Sequence, residues 1–358
     1  MKLRAFLIAI LAGLWLGAAA QTAFVWDIDF ETVFDNREGD RTHTDPETIF
    51  FTRLRPTVGV RLGAGDTFAG GIEWIQPIAY DWSGRRVRPV LYYRHDSQRW
   101  SGSLGIFPRS QLFEELPSFM WGDSTAYFQP DIRGALLQWR GGRSFAEIYL
   151  DWRQKQTETK RESFSIVAHG RWQHPQRPWM AGAYLTMNHL ALTKHAPENM
   201  HIVDNFLAAP YVGADLTPLV APLDSLRLRA GMAITIERNR EAGGWRTPAG
   251  AWLEITAGWR GFRLKNMLYA GGRLLPSYGI FGSLLYQGEP YYAASFYDRA
   301  ELSYGIVRRS FLDLRTALDF RFTPGSFMFY QKISLTLRFG RSYPLRPSLS
   351  KGAQKVIN

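Results

Sequence analysis

Cysteine is absent from the whole chain. That excludes disulfides, thiolate metal sites and a lipid anchor on a cysteine at an export cleavage site. Long apolar runs are also missing: past Gln21 no stretch of eighteen or more apolar residues occurs, so helical membrane spans are excluded. Acidic residues are in deficit, 32 against 43 basic ones, for a formal charge of +11. The excess is mostly arginine spread singly along the chain, not gathered in a patch, which argues against a nucleic-acid partner. Stability must come from backbone pairing and burial.

Other features are plentiful. Met1-Lys2-Leu3-Arg4, the apolar run Ala5 to Gly17 and Ala18-Ala19-Ala20 have the order of a signal peptide, cut before Gln21. Residues 1–20 are therefore read as a signal peptide, 21–340 as the fold and 341–358 as a C-terminal tail. Aromatics make up 15% of the chain, yet mean hydropathy is only -0.22, as expected where apolar and polar residues alternate. At period two the chain breaks into about sixteen segments, each long enough for a tilted transmembrane strand. In the first, Trp26, Ile28, Phe30, Thr32 and Phe34 oppose Asp27, Asp29 and Glu31. In the last, Ile333, Leu335, Leu337 and Phe339 oppose Lys332, Ser334, Thr336 and Arg338. Segments six (Gln129 to Trp139), ten and fourteen alternate less cleanly, and their faces stay unassigned.

Connections alternate between tight turns, such as 63–66, 96–99 and 141–144, and long polar loops, such as 36–48, 107–128, 190–204 and 271–296. Short periplasmic turns and long extracellular loops belong to outer-membrane barrels. A soluble β-sandwich would bury its apolar faces inward and would not sort its loops by parity. The expected fold is thus all-β: one antiparallel up-and-down transmembrane β-barrel of about sixteen strands, with fourteen as the alternative. Inside hydrocarbon the sheet must close, so charged side chains must face the lumen. The lumen set is Asp27, Asp29, Glu31, Arg53, Arg55, Arg61, Arg88, Arg94, Arg227, Arg229, Glu254, Arg315, Arg321, Lys332 and Arg338. Closure is expected to set the acids of the first strand beside Arg53 and Arg55 on one side and Lys332 and Arg338 on the other. Trp26, Trp74, Tyr93, Trp100, Trp152 and Trp259 fall near strand ends, as interfacial girdles do.

Several strings carry a resemblance: ETVFDNREGD (31–40), FFTRLRPTVGVRLG (50–63), GIFPRSQL (105–112), QPDIRGALLQW (129–139), DWRQKQTETKRESF (151–164) and EPYYAASFYDR (289–299). They resemble uncharacterised outer-membrane β-barrel proteins of Bacteroidota. The resemblance implies the fold and the membrane and transfers no catalytic residue. A tail after Phe339 departs from barrels that end on their last strand's aromatic.

No motif fixes a catalytic, metal or cofactor site, and none is assigned. His95-Asp96-Ser97 lies in a short turn, the wrong end for outer-leaflet lipid. Asn188-His189 tops strand nine at a better height, with His195 and His201 in the next loop, but no serine partner is picked out. His43 with Asp40 and Asp45 resembles a rim Asp/His pair without supporting spacing, and His195, His201 and Asp204 form no compact ligand motif. Loop 107–128 carries Glu114, Glu115 and Asp123 among aromatics, a candidate constriction. Loop 271–296 is rich in tyrosine. The favoured reading is a porin-like channel for passive diffusion of small anionic solutes through an Arg-lined lumen. Two alternatives stand beside it: a surface binding or structural barrel plugged by loops 107–128 and 271–296, and a barrel hydrolase of lipid or peptide. Expected partners are outer-membrane lipid and lipopolysaccharide, the barrel-assembly machinery, periplasmic chaperones and small solutes.

Overall fold

The computed structural model describes residues 22–81, 86–240 and 244–340. The expected signal peptide and the tail lie outside the described residues. Strands run in chain order from β1 (Thr22–Gly39), β2 (Glu47–Leu62), β3 (Asp66–Pro77) and β4 (Val87–Asp96) to β5 (Trp100–Pro108). Next come β6 (Asp131–Gly141), β7 (Ser144–Gln154), β8 (Ser163–Gln173), β9 (Trp179–Leu190) and β10 (Val203–Asp215). The remainder are β11 (Ser225–Asn239), β12 (Ala249–Trp259), β13 (Phe262–Gly271), β14 (Phe296–Arg308), β15 (Leu312–Thr323) and β16 (Ser326–Gly340). The two-residue piece Trp245–Arg246 pairs with β11 beyond β12 and extends that wall. Each strand is antiparallel to the next, and β16 returns to β1 from Asp27↔Gly340 to Gly39↔Met328. The sixteen-stranded sheet closes, leaving no edge to pair with other chains.

Alternation decides which face meets lipid. On β1, Val25, Val33, Asp35 and Arg37 are buried while Phe24, Trp26 and Ile28 are exposed. Outward aromatics cluster at two heights. Trp26, Phe68, Tyr93, Trp100, Trp172 and Trp259 mark the short-turn end, and Phe34, Phe50, Trp152, Phe164, Phe322 and Phe327 the long-loop end. Ring pairs such as Phe34–Phe50 (5.6 Å) and Trp152–Phe164 (5.4 Å) bridge neighbouring strands. About eight residues separate the belts along a strand, roughly 26 Å at 3.3 Å per residue. Tilt reduces that to the apolar band of an outer-membrane barrel.

Strands that alternated poorly in sequence have a common structural reason. The inward faces of β6 and β10 carry Ile132, Leu136, Val203, Leu207 and Tyr211, all in one core with Phe119, Leu285, Tyr291 and Tyr292. These walls face packed protein instead of water, so both of their faces are apolar. On β14, Tyr297 joins the same core while Arg299 beside it is charged.

Candidate functional site

The packed protein is the two long loops. Segments 109–130 and 272–295 fold into the lumen and lock to each other, and residues 111–114 reach Arg94, Phe145 and Arg171 near the short-turn end. Gly122 N–H donates to Gln287 O (2.8 Å), Glu289 N–H to Ser118 O (2.9 Å), and the Ser118 and Tyr292 hydroxyls meet at 2.7 Å. Asp123 opens the short helix α1 (Asp123–Phe128). Its carboxylate accepts from Lys332 Nζ and Arg321 Nη2, each at 2.6 Å, and from Arg299 Nη2 at 3.0 Å. Asp319 Oδ2 and Glu289 Oε2 accept from the same cations, at 2.6 Å from Lys332 Nζ and from Arg321 Nη1 respectively. A second latch joins Glu114 to Arg171 and leaves it 3.8 Å from Arg229. In a third, the Arg109 guanidinium stacks 3.7 Å from the Trp121 ring and bonds Asp151.

The lumen residues take specific places. Asp29 faces Arg338 (3.8 Å) and Glu31 bonds Arg53 (2.5 Å). Arg55 turns to Glu73 and Asp131, Arg94 to Asp96, and Arg229 to Glu254. Arg88 lies 3.8 Å from Glu73, Arg227 3.6 Å from Asp215, and Arg315 3.8 Å from Asp313. Asp27 and Arg61 share the inward parity of their strands. One expectation is corrected. Lys332 stands opposite Asp35 in register, yet its ammonium bonds Asp123 and Asp319 instead of the acids lower on β1, because the plug brings a carboxylate within reach. Asp123 and Glu114 are neutralised by these cations, and Glu115 lies 3.8 Å from Lys265. They therefore set no acidic ring in an open passage. A cavity of about 360 Å³ remains beside the plug, bordered by Asp29, Glu31, Arg53, Arg55, Arg109 and Glu114.

Chemistry of another kind sits on the outer wall. Strand register sets Phe164 opposite His189, His189 opposite Asp204, and Asp204 opposite Arg238, which in turn faces Trp245. Trp152 extends the row from β7. Parity sends all six outward, on a row about 24 Å long at the 4.8 Å strand spacing. His189 Nδ1 lies 2.7 Å from Asp204 Oδ1, and Arg240 Nε donates to Asp204 Oδ2 at 2.8 Å. The imidazole lies at 4.9 Å and 31° to the Phe164 ring, so both the ring plane and Nδ1 are fixed. That arrangement turns Nε2 away from Asp204 and orients it as a proton acceptor. Arg238 lies 5.3 Å over the exposed Trp245 ring.

Other histidines fall elsewhere. His95 Nδ1 meets Asp66 at 2.8 Å across β3 and β4 at the short-turn end, and His195 Nε2 meets Glu158 at 3.0 Å on the surface. His195, His201 and Asp204 do not converge, and no group of three metal-binding side chains occurs among the described residues. His43 Nε2 lies 3.0 Å from Thr323 Oγ1, with its ring 5.5 Å from Tyr291. Burial lowers its pKa despite the nearby Asp40 carboxylate. Thr323 is buried on the inner wall above the plug, so this hydroxyl–imidazole pair faces protein and not the lipid belt. Sequence reasoning set His189 at the right height. It missed Asp204 as partner because the pairing depends on the register across a twelve-residue loop.

The family described as lipid A 3'-O-deacylase-type matches residues 18–346. The chain belongs to that family. No curated protein matches it. Among solved structures, OccK11 (OpdR) of Pseudomonas aeruginosa is similar at a TM-score of 0.54 and 10% identity, covering 89% of this chain and 96% of that one. A loop L8 deletion mutant of Vibrio cholerae OmpT gives 0.54 at 8%, over 88% and 100% of the two chains. Pseudomonas putida OprB gives 0.51 at 11%, over 89% and 94%. Identities this low show the fold alone: a closed antiparallel barrel like those of outer-membrane porins.

Proposed function

We propose that this deacylase-type barrel hydrolyses an ester-linked acyl chain of an outer-leaflet saccharolipid of the lipid A kind, on its outer wall. One observation carries the reading: the His189–Asp204 pair faces lipid at the height of the long-loop aromatic belt, where the ester bonds of a bilayer lipid lie. His189 Nε2 takes a proton from water as the oxygen attacks the ester carbonyl carbon. The tetrahedral intermediate then expels the sugar oxygen, and the same imidazole returns the proton to it. Asp204 holds the imidazole in the required tautomer. Arg238 and Arg240 supply positive charge for the carbonyl oxygen as it becomes anionic and for phosphate on the headgroup.

The filled lumen speaks against passive diffusion of anionic solutes, since two loops occupy it and Arg321, Lys332 and Arg171, which would line the pore, are bound to plug residues. Mass spectrometry of lipid A from cells with and without the protein tests the proposal. Loss of one ester-linked chain is the expected outcome, and unchanged lipid A at verified outer-membrane expression contradicts it.

A further inference from the structure

The pair at His189 lies one rung from the end of its ladder. Register sets Ser163, Leu190, Val203 and Asn239 side by side as the last rung of β8 to β11, and Phe164, His189, Asp204 and Arg238 as the rung below it. Past that last rung β9 leaves into the twelve-residue connection 191–202, and β10 returns from it. Strand ends are among the first parts of a fold to open. A register held by the ladder alone would fray where the imidazole needs its carboxylate.

Arg161, in the connection between β7 and β8, closes that end. Its Nε donates to Ala191 O at 2.7 Å, and its Nη2 donates to Leu190 O at 3.1 Å and to His201 O at 2.6 Å. One guanidinium thus grips both sides of the neck, at two carbonyls where β9 leaves and one where β10 enters. The backbone around Arg161 is tied to the same place: Ala191 N–H donates to Glu162 O at 2.9 Å, and Gln154 Nε2 to Arg161 O at 2.7 Å. On another side the guanidinium stands 5.5 Å over the ring of Phe281, a plug residue packed on the inner core.

We infer that Arg161 is a positioning residue, which holds the neck of connection 191–202 so that His189 Nδ1 meets Asp204 Oδ1 and ties that outer-wall pair to the plug through Phe281. A guanidinium suits the task because its donors form a rigid planar fork that reaches several carbonyls at once. With the neck held, Nδ1–H stays on Asp204 and Nε2 keeps its lone pair free. Released, the imidazole exchanges tautomers and leaves its attacking position, where a displacement of about 1 Å costs about a hundredfold in rate. The part of Arg161 in turnover rests on the deacylation reading; its hold on the tautomer does not.

The test uses the full-length protein in detergent micelles with isotope-labelled histidine, read by nitrogen NMR, the His189 signals being those lost in His189→Gln. At a pH where the imidazole is neutral, the parent and Lys160→Ala should show a single His189 tautomer with Nδ1 protonated. Arg161→Ala, with its heat-modifiable gel mobility intact, should show both tautomers. Its kcat for fatty-acid release from lipid A should fall about a hundredfold at unchanged KM. Arg161→Lys puts a point charge where the fork stood and should fall between the two, which keeps the test open if the alanine variant does not fold. A single tautomer in both Arg161 variants, or the same mixing in Lys160→Ala, would overturn the inference whatever the release. Mixed tautomers at unchanged kcat would remove Arg161 from the reaction. Mixed tautomers in Arg161→Ala of a protein whose parent releases no fatty acid would uphold the clasp and remove the deacylation reading instead.

Discussion

Asp123 shows how single residues convert a barrel into a filled one. Burial alone would raise its carboxyl pKa, but Arg299, Lys332 and Arg321 outweigh burial and hold it well below the usual carboxylate range. A carboxylate depressed in the folded state stabilises fully above its unfolded value, near 3.9, and loses that stabilisation only as pH falls through the folded value. The plug should therefore stay latched down to pH well under 4. Asp123→Asn removes the charge and leaves Arg299, Arg321 and Lys332 to share the remaining carboxylates, Asp319 and Glu289 among them. Breaking a buried pair costs about 3–5 kcal/mol, so the variant should unfold on heating at a lower temperature in gel-mobility assays. If the plug also releases, planar-bilayer recordings should show conductance that the parent lacks. Uncompensated arginines would make that conductance anion-preferring, with a preference that weakens at high salt. Unchanged melting with a silent bilayer would show that the latch contributes little.

Between residue and barrel lies the seam joining segments 117–123 and 287–292. Gly288 permits it: a Cβ at that position would lie 2.2 Å from the Phe119 carbonyl oxygen and 2.5 Å from its carbon, both backbone atoms that cannot yield. Gly288→Ala should part the two plug segments while leaving the strands paired. The measurement is hydrogen exchange, with protection lost at 117–123 and 287–292 and kept in β1–β16. Protection lost throughout would mean that the plug and the wall fold as one unit. This scale is also where sequence reasoning stopped. Strands whose inner face carries charges, such as β1 and β16, were legible by period two because charge alternates with apolar residues. Walls that face the plug, such as β6 and β10, lost that signal because Ile132, Leu136, Leu207 and Tyr211 pack on loop residues. The aromatic content of loops 107–128 and 271–296 did announce packing somewhere. The ion pairs that fix where, Asp123 with Lys332 above all, depend on contacts across more than two hundred residues.

At the scale of the whole molecule, closure removes sheet edges, two aromatic belts fix the height of the barrel, and the plug fills much of its lumen. A sixteen-stranded wall normally encloses a lumen wider than side chains fill, and here two loops supply the missing volume. The proposed chemistry lies on the outside. There one row of six outward side chains from β7 to the extension of β12 brings an imidazole, a carboxylate and a guanidinium to the lipid boundary, and Arg240 adds a second guanidinium beside Asp204. The fold's resemblance to porins and its membership of a deacylase-type family are compatible on this account, because the wall carries the function and the lumen carries the stability. Two imidazole sites at the long-loop end distinguish it from its competitors: His189 with Asp204 on the lipid side, and His43 with Thr323 on the inner side. The most direct measurement is fatty-acid release from purified lipid A by the parent protein, His189→Ala and His43→Ala, each shown to be folded by heat-modifiable mobility. The account predicts release by the parent and by His43→Ala, and a loss of about a hundredfold or more in His189→Ala, the lower range for removing a general base. Release that survives in His189→Ala and disappears in His43→Ala would contradict it and move the reaction to the inner rim.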